Sequence, residues 1–353
     1  MPNIKNIVVV GTGGGGLALV HGLQKKINPK THRIVVVEKR DYYAHWPALI
    51  RAAITSEGSF DEASLVPNDR VFDPKTVRVV RSTAKSISSS EVTTESGESI
   101  PYNYLVLATG SIWTGPMNIP DTRAAALEHL RAFQQELKAA QHVVVVGGGT
   151  SGVEYAGEIR HYHPDKKVTI VHGGKELLGK SYTPNFRHSL HDALKKMGAE
   201  VVFSDKLSAT VIPEGGYVTT ANGKRIRADL VVNAIGGKIN TEVVKTLDET
   251  VVTIGCQNVW ALGDIIEWPE QKMVLKAVRG HAPIVLKNLL ASIQGGKTAS
   301  YDGYLDGAAI TLGPRGGRAF IPFFGGLVLG DLFVRKMKSE DLRVGETKKL
   351  LGY

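Results

Sequence analysis

The chain has 353 residues, 42% of them hydrophobic, and a formal net charge of +9; that length exceeds one ordinary core and predicts two or three domains. The single cysteine, Cys256, excludes an internal disulfide framework and any paired-thiol relay, and fits a reducing compartment. The positive charge favours anionic partners, whether pyrophosphate cofactors, acidic phospholipid surfaces or nucleic acid, without choosing among them.

The opening residues have no signal-peptide layout, and Pro2 stands where N-myristoylation needs glycine. They predict an unprocessed, intracellular protein, cytoplasmic or peripheral on an organelle membrane. Lys5 to Val10 reads as a buried strand, Leu17 to Lys26 as a helix and Arg33 to Glu38 as a second buried strand. Apolar runs without alternation mark a parallel sheet covered on both faces, so the order is a βαβ unit. Between strand and helix, Gly11, Gly13 and Gly16 match G-x-G-x-x-G. That spacing gives a tight turn, room for a pyrophosphate against backbone and close packing of helix on strand. The helix N-terminus then faces the phosphates. Glu38 ends the second strand, where a carboxylate can accept both hydroxyls of an adenosine ribose.

Tyr104 to Gly110 follows as a strand ending in a small-residue turn, and the grammar then repeats. His142 to Val146 is a strand, Gly147, Gly149 and Gly152 form a second glycine turn, Val153 to His161 is a helix and Val168 to Val171 a strand. The residue closing this unit is His172, not an acid. With no carboxylate to repel a 2′-phosphate and with Lys175 nearby, the second site is expected to take NADPH as well as NADH. The competing reading is that His172 merely packs. Leu230 to Gly236 closes the second unit, and the chain reaches Trp260-Ala-Leu-Gly-Asp264 beyond it.

The expected fold is therefore α/β, with two Rossmann-like domains, the second inserted in the first. Two dinucleotide sites coexist most simply when one holds a resident redox cofactor and the other admits a diffusing nicotinamide. Gly263-Asp264 points to FAD as the resident, since an Asp at a strand end beside a helix N-terminus can bond the ribityl hydroxyls. The domains predicted are residues 1–113 and 237–297 for FAD, 114–236 for NAD(P)H, and 298–353 as a C-terminal region.

With both glycine fingerprints, Glu38, Ala108-Thr-Gly110 and Gly263-Asp264 in place, the chain resembles the two-dinucleotide-fold flavoprotein superfamily. His45-Trp-Pro-Ala-Leu-Ile-Arg51, Gly152-Val-Glu-Tyr-Ala-Gly-Glu158, Val168 to His172 and the tail Leu332 to Leu342 are similar to its apoptosis-inducing-factor-like, AMID or ferroptosis-suppressor type, the NAD(P)H:quinone oxidoreductases. The resemblance covers nearly the whole chain. It implies non-covalent FAD held by Gly11, Gly13, Gly14, Gly16, Glu38 and Lys39, with Ala84 offering backbone to the adenine. It also implies that Ala108, Thr109 and Gly110 line the FAD path, that Asp264 beside Gly263 holds the ribityl chain, and that His45 and Arg51 approach the flavin or its phosphates. NADH or NADPH would lie on Gly147, Gly149, Thr150, Ser151, Gly152, His172 and Gly236. Glu154 would sit near the nicotinamide ribose; as a residue near a helix N-terminus it could instead serve the helix dipole. Two departures from the family's pattern, Ile235 in place of a hydroxyl or thiol and a short stretch between Gly237 and Trp260, put the acceptor pocket in doubt.

Hydride transfer needs stacking and orientation more than acid–base groups, so no nucleophile or metal is expected. With no thiol pair, a quinone or other small acceptor is the economical outlet. Lys276 and His281, in the helix after Gly263-Asp264, are candidates to stabilise an anionic reduced flavin, against a packing or surface role. The apolar stretch Ala319 to Val334 is broken by Pro322, glycines and Asp331 and is followed by Arg335, Lys336 and Lys338. It falls short of a membrane span and suits either docking on an anionic membrane or a folded flap that covers the flavin or forms a dimer contact, in a monomer or homodimer. No nucleic-acid-binding module is apparent, so specific nucleic-acid binding is not expected. An FAD-containing nucleic-acid-binding or signalling protein, and a biosynthetic oxidase using oxygen or another metabolite, are the competing functions.

Overall fold

A computed structural model of the chain describes residues 4–208, 210–246, 258–323 and 325–353. Cys256, Pro2 and half of the short stretch before Trp260, residues 247–257, lie outside the described residues. Two parallel sheets organise the chain. The first runs in the order Val259–Ala261, Tyr104–Leu107, Lys5–Val10, His32–Val37, Val77–Val80, every neighbour parallel. In chain order this is 5-4-1-2-3, the half-sheet of a dinucleotide-binding fold. The second runs Ala199–Val202, Lys167–Val171, His142–Val146, Leu230–Asn233, again all parallel. Its strands fall in the sequence between two strands of the first sheet.

The sequence builds these sheets by burying both faces of each central strand. Ile7 and Val9 pack against Leu19, Leu23 and Val285, from the helices Gly14–Gln24 and Ala282–Ile293. Val8 and Val10 turn the other way, onto Ile87, Val92 and Ile100 of a small antiparallel sheet. In the second unit Val143 and Val145 face the helical side, while Val144 packs with Val218 and Ile226 of the hairpin Tyr217–Arg227. Each fully buried valine contributes about 1.5–3 kcal/mol, so the alternation fixes strand register on both faces.

Both glycine-turn helices start earlier than their apolar periodicity suggests, at Gly14 and Thr150. Apolar spacing cannot mark a first turn made of Gly, Thr and Ser. The stretch expected as one apolar segment divides into Gly317–Ile321, Leu327–Leu329 and the short helix Asp331–Val334. The two strands join Ala308–Thr311 in a three-stranded antiparallel sheet. No helix among the described residues is long and apolar enough to cross a membrane.

Candidate functional site

The two glycine turns are built alike. Gly11 has φ +91°, and a Cβ there would stand 2.5 Å from the Ala108 carbonyl oxygen; Gly147 has φ +106°, with a Cβ 2.8 Å from the Ala234 carbonyl oxygen. Any side chain on Gly16 would run into the Gly11 carbonyl, and any on Gly152 into the Gly147 carbonyl. Gly13 and Gly149 differ from these. A Cβ on either would point into open space, directly before helices whose first-turn N–H groups have no partner within the helix. Each unit thus presents a cradle of free donors that a side chain would fill, which fits a pyrophosphate.

In the first unit Glu38 closes the cradle. Its Oε2 accepts from the Thr12 N–H at 2.7 Å and hydroxyl at 2.8 Å, and its Oε1 from the Arg40 N–H at 3.0 Å. In the second unit the Gly148 N–H donates to Nδ1 of His172 at 3.1 Å. An imidazole here replaces a carboxylate on the equivalent backbone group. The contact requires a lone pair on Nδ1 and so a neutral ring, and burial pushes the His172 imidazole below its ordinary range. The second cradle therefore ends without negative charge at the position of the acid.

Ala108, Thr109 and Gly110 lead away from the first cradle. Thr109 donates its hydroxyl to the Asn240 carbonyl at 2.8 Å, and Gly110 turns at φ +68° with open space beside it. Ser111 donates to Asp264 Oδ2 at 3.0 Å, so the loop after Gly110 and the Gly263–Asp264 turn are held together. Gly236 makes the matching turn at φ +91°, beside an Ile235 that is 63% exposed. Gly14 presses against Val274 and Thr150 and Ser151 open the second helix. Lys39 pairs with Asp121 at 2.8 Å on the surface, and Ala84 begins the small antiparallel sheet.

Residues 5–279 match the family model described as pyridine nucleotide-disulphide oxidoreductase. The chain belongs to that family. Among curated relatives, the FAD-dependent oxidoreductase FVFD30 of Flammulina velutipes is 31% identical over 316 residues, 85% of this chain and 98% of that protein. Ferroptosis suppressor protein 1 of Homo sapiens is 28% identical over 367 residues, 98% of this chain and 95% of that protein. Among solved structures, the sulfide:quinone oxidoreductase of Aquifex aeolicus superposes with a TM-score of 0.78 at 18% identity, covering 99% of this chain and 92% of that one. That last likeness is one of fold. The chain is an NAD(P)H-dependent flavin oxidoreductase, with FAD and NAD(P)H as its cofactors. It carries two nucleotide folds and a single cysteine, and so no thiol pair of its own.

The structure gives three of the predicted residues protein partners of their own. The Arg51 guanidinium is wholly buried, with Nε and Nη2 each 2.9 Å from the Glu158 carboxylate, and it stacks over Phe60 at 5.2 Å. Glu158 lies on the helix Thr150–Tyr162, so the pair ties the helix Trp46–Ile54 to the second nucleotide unit. His45, which precedes that helix, is also taken. Its Nε2–H donates to the Leu342 carbonyl at 2.7 Å and its Nδ1 accepts from the Thr347 hydroxyl at 3.0 Å. Lys276 is no free cation. It is 1% exposed, contacts Asp306 and lies 3.5 Å from Glu270, so two carboxylates offset its charge.

Glu154 is held in place. Its Oε1 accepts from the Thr311 N–H at 3.1 Å and from Lys338 Nζ at 2.8 Å. Thr311 belongs to the three-stranded sheet and Lys338 to the tail, so a distant segment of chain covers the residue read from the helix. Lys338, Thr311, Glu158 and Glu270 were not assigned as site residues from the sequence. Lys338 and Glu158 stand inside recognisable motifs, but Thr311 and Glu270 have no local signal, since only the fold brings them to their partners.

Proposed function

We propose that the chain oxidises NADH or NADPH and reduces a quinone, NAD(P)H plus a proton and quinone giving NAD(P)⁺ and quinol. Bound FAD supplies the two-electron carrier between these partners. Residues 1–113 and 237–297 form its domain, residues 114–236 the NAD(P)H domain and residues 298–353 the acceptor-side region. Gly11, Gly13 and Gly16 present backbone donors to the FAD pyrophosphate, Glu38 receives the adenosine ribose, and Asp264 holds the ribityl chain. Gly147, Gly149 and Gly152 do the same for the nicotinamide dinucleotide. Glu154 orients the nicotinamide ribose, with Lys338 and Thr311 fixing the carboxylate.

One observation carries the choice of acceptor. The sheet that supplies Thr311 to Glu154 continues into an exposed apolar surface, with Leu327 47%, Phe323 52%, Phe333 43% and Leu332 79% exposed. An apolar ring would find a dry approach there, and Arg335 and Lys336, also exposed, suit an anionic membrane from which a lipid quinone could enter.

Anaerobic stopped-flow mixing tests the reading. Flavin absorbance is expected to bleach rapidly with NADH and with NADPH, and to recover on mixing with a short-chain ubiquinone. Bleaching without quinone recovery would move the acceptor to oxygen or another metabolite, and no bleaching would end the enzyme reading. A His172→Glu variant is expected to slow bleaching by NADPH about tenfold or more while sparing NADH, since like charges disfavour the 2′-phosphate.

A further inference from the structure

The chain after Gly263–Asp264 buries a polar cluster that neither cradle uses. Glu270 is its hub. Its Oε1 accepts from His281 Nε2 at 2.8 Å and from the Tyr301 hydroxyl at 2.9 Å, and its Oε2 from the Tyr304 N–H at 3.2 Å. Lys276 lies between Glu270 and Asp306. The other nitrogen of His281, Nδ1, is 3.1 Å from the Gly263 nitrogen. A backbone N–H only donates, so Nδ1 carries a lone pair and the ring proton sits on Nε2, where the Glu270 carboxylate accepts it.

The surroundings leave the ring little freedom. Tyr301 meets it edge to face at 4.8 Å, and His281 is 7% exposed. Residues Ala277–His281 form a π-type turn, a distortion common at functional sites. The loop carrying Tyr301 and Tyr304 comes down on Gly280, where a Cβ would meet both residues at 3.1 Å. Gly263 itself turns at φ +80°, and its N–H is the group on which the imidazole pulls.

We propose that His281 is a positioning residue: Glu270 fixes its tautomer, and its Nδ1 anchors the Gly263 amide so that the next residue, Asp264, is presented to FAD. This rests on the assignment of Asp264 to the ribityl chain. The relay acts through a ring lone pair, so substitutions that keep one nitrogen's role separate the parts. In His281→Asn an amide oxygen replaces Nδ1 as acceptor for Gly263. In His281→Gln an amide N–H replaces Nε2 as donor to Glu270, and the acceptor is lost.

The test is FAD affinity and flavin midpoint potential of the purified holoenzyme variants, with NADH binding to the second unit as the control for folding. His281→Gln is expected to weaken FAD about tenfold and to shift the potential, while His281→Asn stays within about twofold of wild type and both bind NADH normally. Equal weakening in the two variants, or none in either, overturns the proposal. Asp264→Asn is the separate arm: unchanged FAD affinity there overturns the assignment of Asp264 itself.

Discussion

Gly16 and Gly152 carry one constraint at two sites of different chemistry. Each lies against the carbonyl of the first glycine of its turn, so an alanine must push strand and helix apart. Gly152→Ala is expected to cost nicotinamide affinity at least about tenfold while the protein remains yellow, and Gly16→Ala to give protein purified without flavin. Absorbance at purification and a nucleotide titration read the two effects separately. The glycine turns, Glu38 and His172 could be recognised in the sequence because their partners are near in the chain or repeat in register. Arg51 and His45 could not, because a charged or amphoteric side chain declares no partner: Arg51 finds Glu158 107 residues away, and His45 finds Leu342 297 residues away.

At the level of elements, the helix Trp46–Ile54 is where the two units and the tail meet. Its Arg51–Glu158 pair is fully buried, so loss of one partner strands a charge. Glu158→Ala is expected to destabilise by about 3–5 kcal/mol, whereas the double replacement with methionines recovers most of that loss, an outcome that chemical denaturation of the three proteins checks. His45 adds a pH-sensitive contact. Burial holds its imidazole below the ordinary value near 6.5, with Lys338 pushing the same way and the Leu342 carbonyl and Asp341 opposing. A folded value below the unfolded one means that the contact contributes fully above pH 6.5 and that stability falls as the pH drops below it. Proteolysis of the tail is expected to quicken from pH 6.5 toward 5, and His45→Leu to remove that dependence. The strands flanking the two glycine turns were legible to within a residue, since apolar runs mark buried strands well, whereas Val77–Val80 and Ala199–Val202, each with exposed or half-buried positions, were not assigned. The helix starts were missed because small residues open them, and the division of residues 317–334 was missed because composition does not say which face of a strand the core takes.

For the whole molecule, the duplicated nucleotide units were readable from repeat grammar alone, while the closing of the tail over both was not. A net charge of +9 and an apolar surface at Leu332 and Phe333 predict binding to vesicles rich in anionic lipid. Binding should weaken with salt and be lost in a Leu332→Glu, Phe333→Glu variant, as sedimentation with and without vesicles would report.

The contact between His45 and residues 342 and 347 also has a consequence during synthesis. At about 5–20 residues per second, the ribosome needs on the order of 15–60 s after making His45 before Leu342 and Thr347 can join it. Arg51 waits a shorter time for Glu158. Until those partners arrive the nascent first unit carries first a buried-to-be arginine and then a buried-to-be histidine in water, so it is then that a chaperone has most to hold and a protease most to cut.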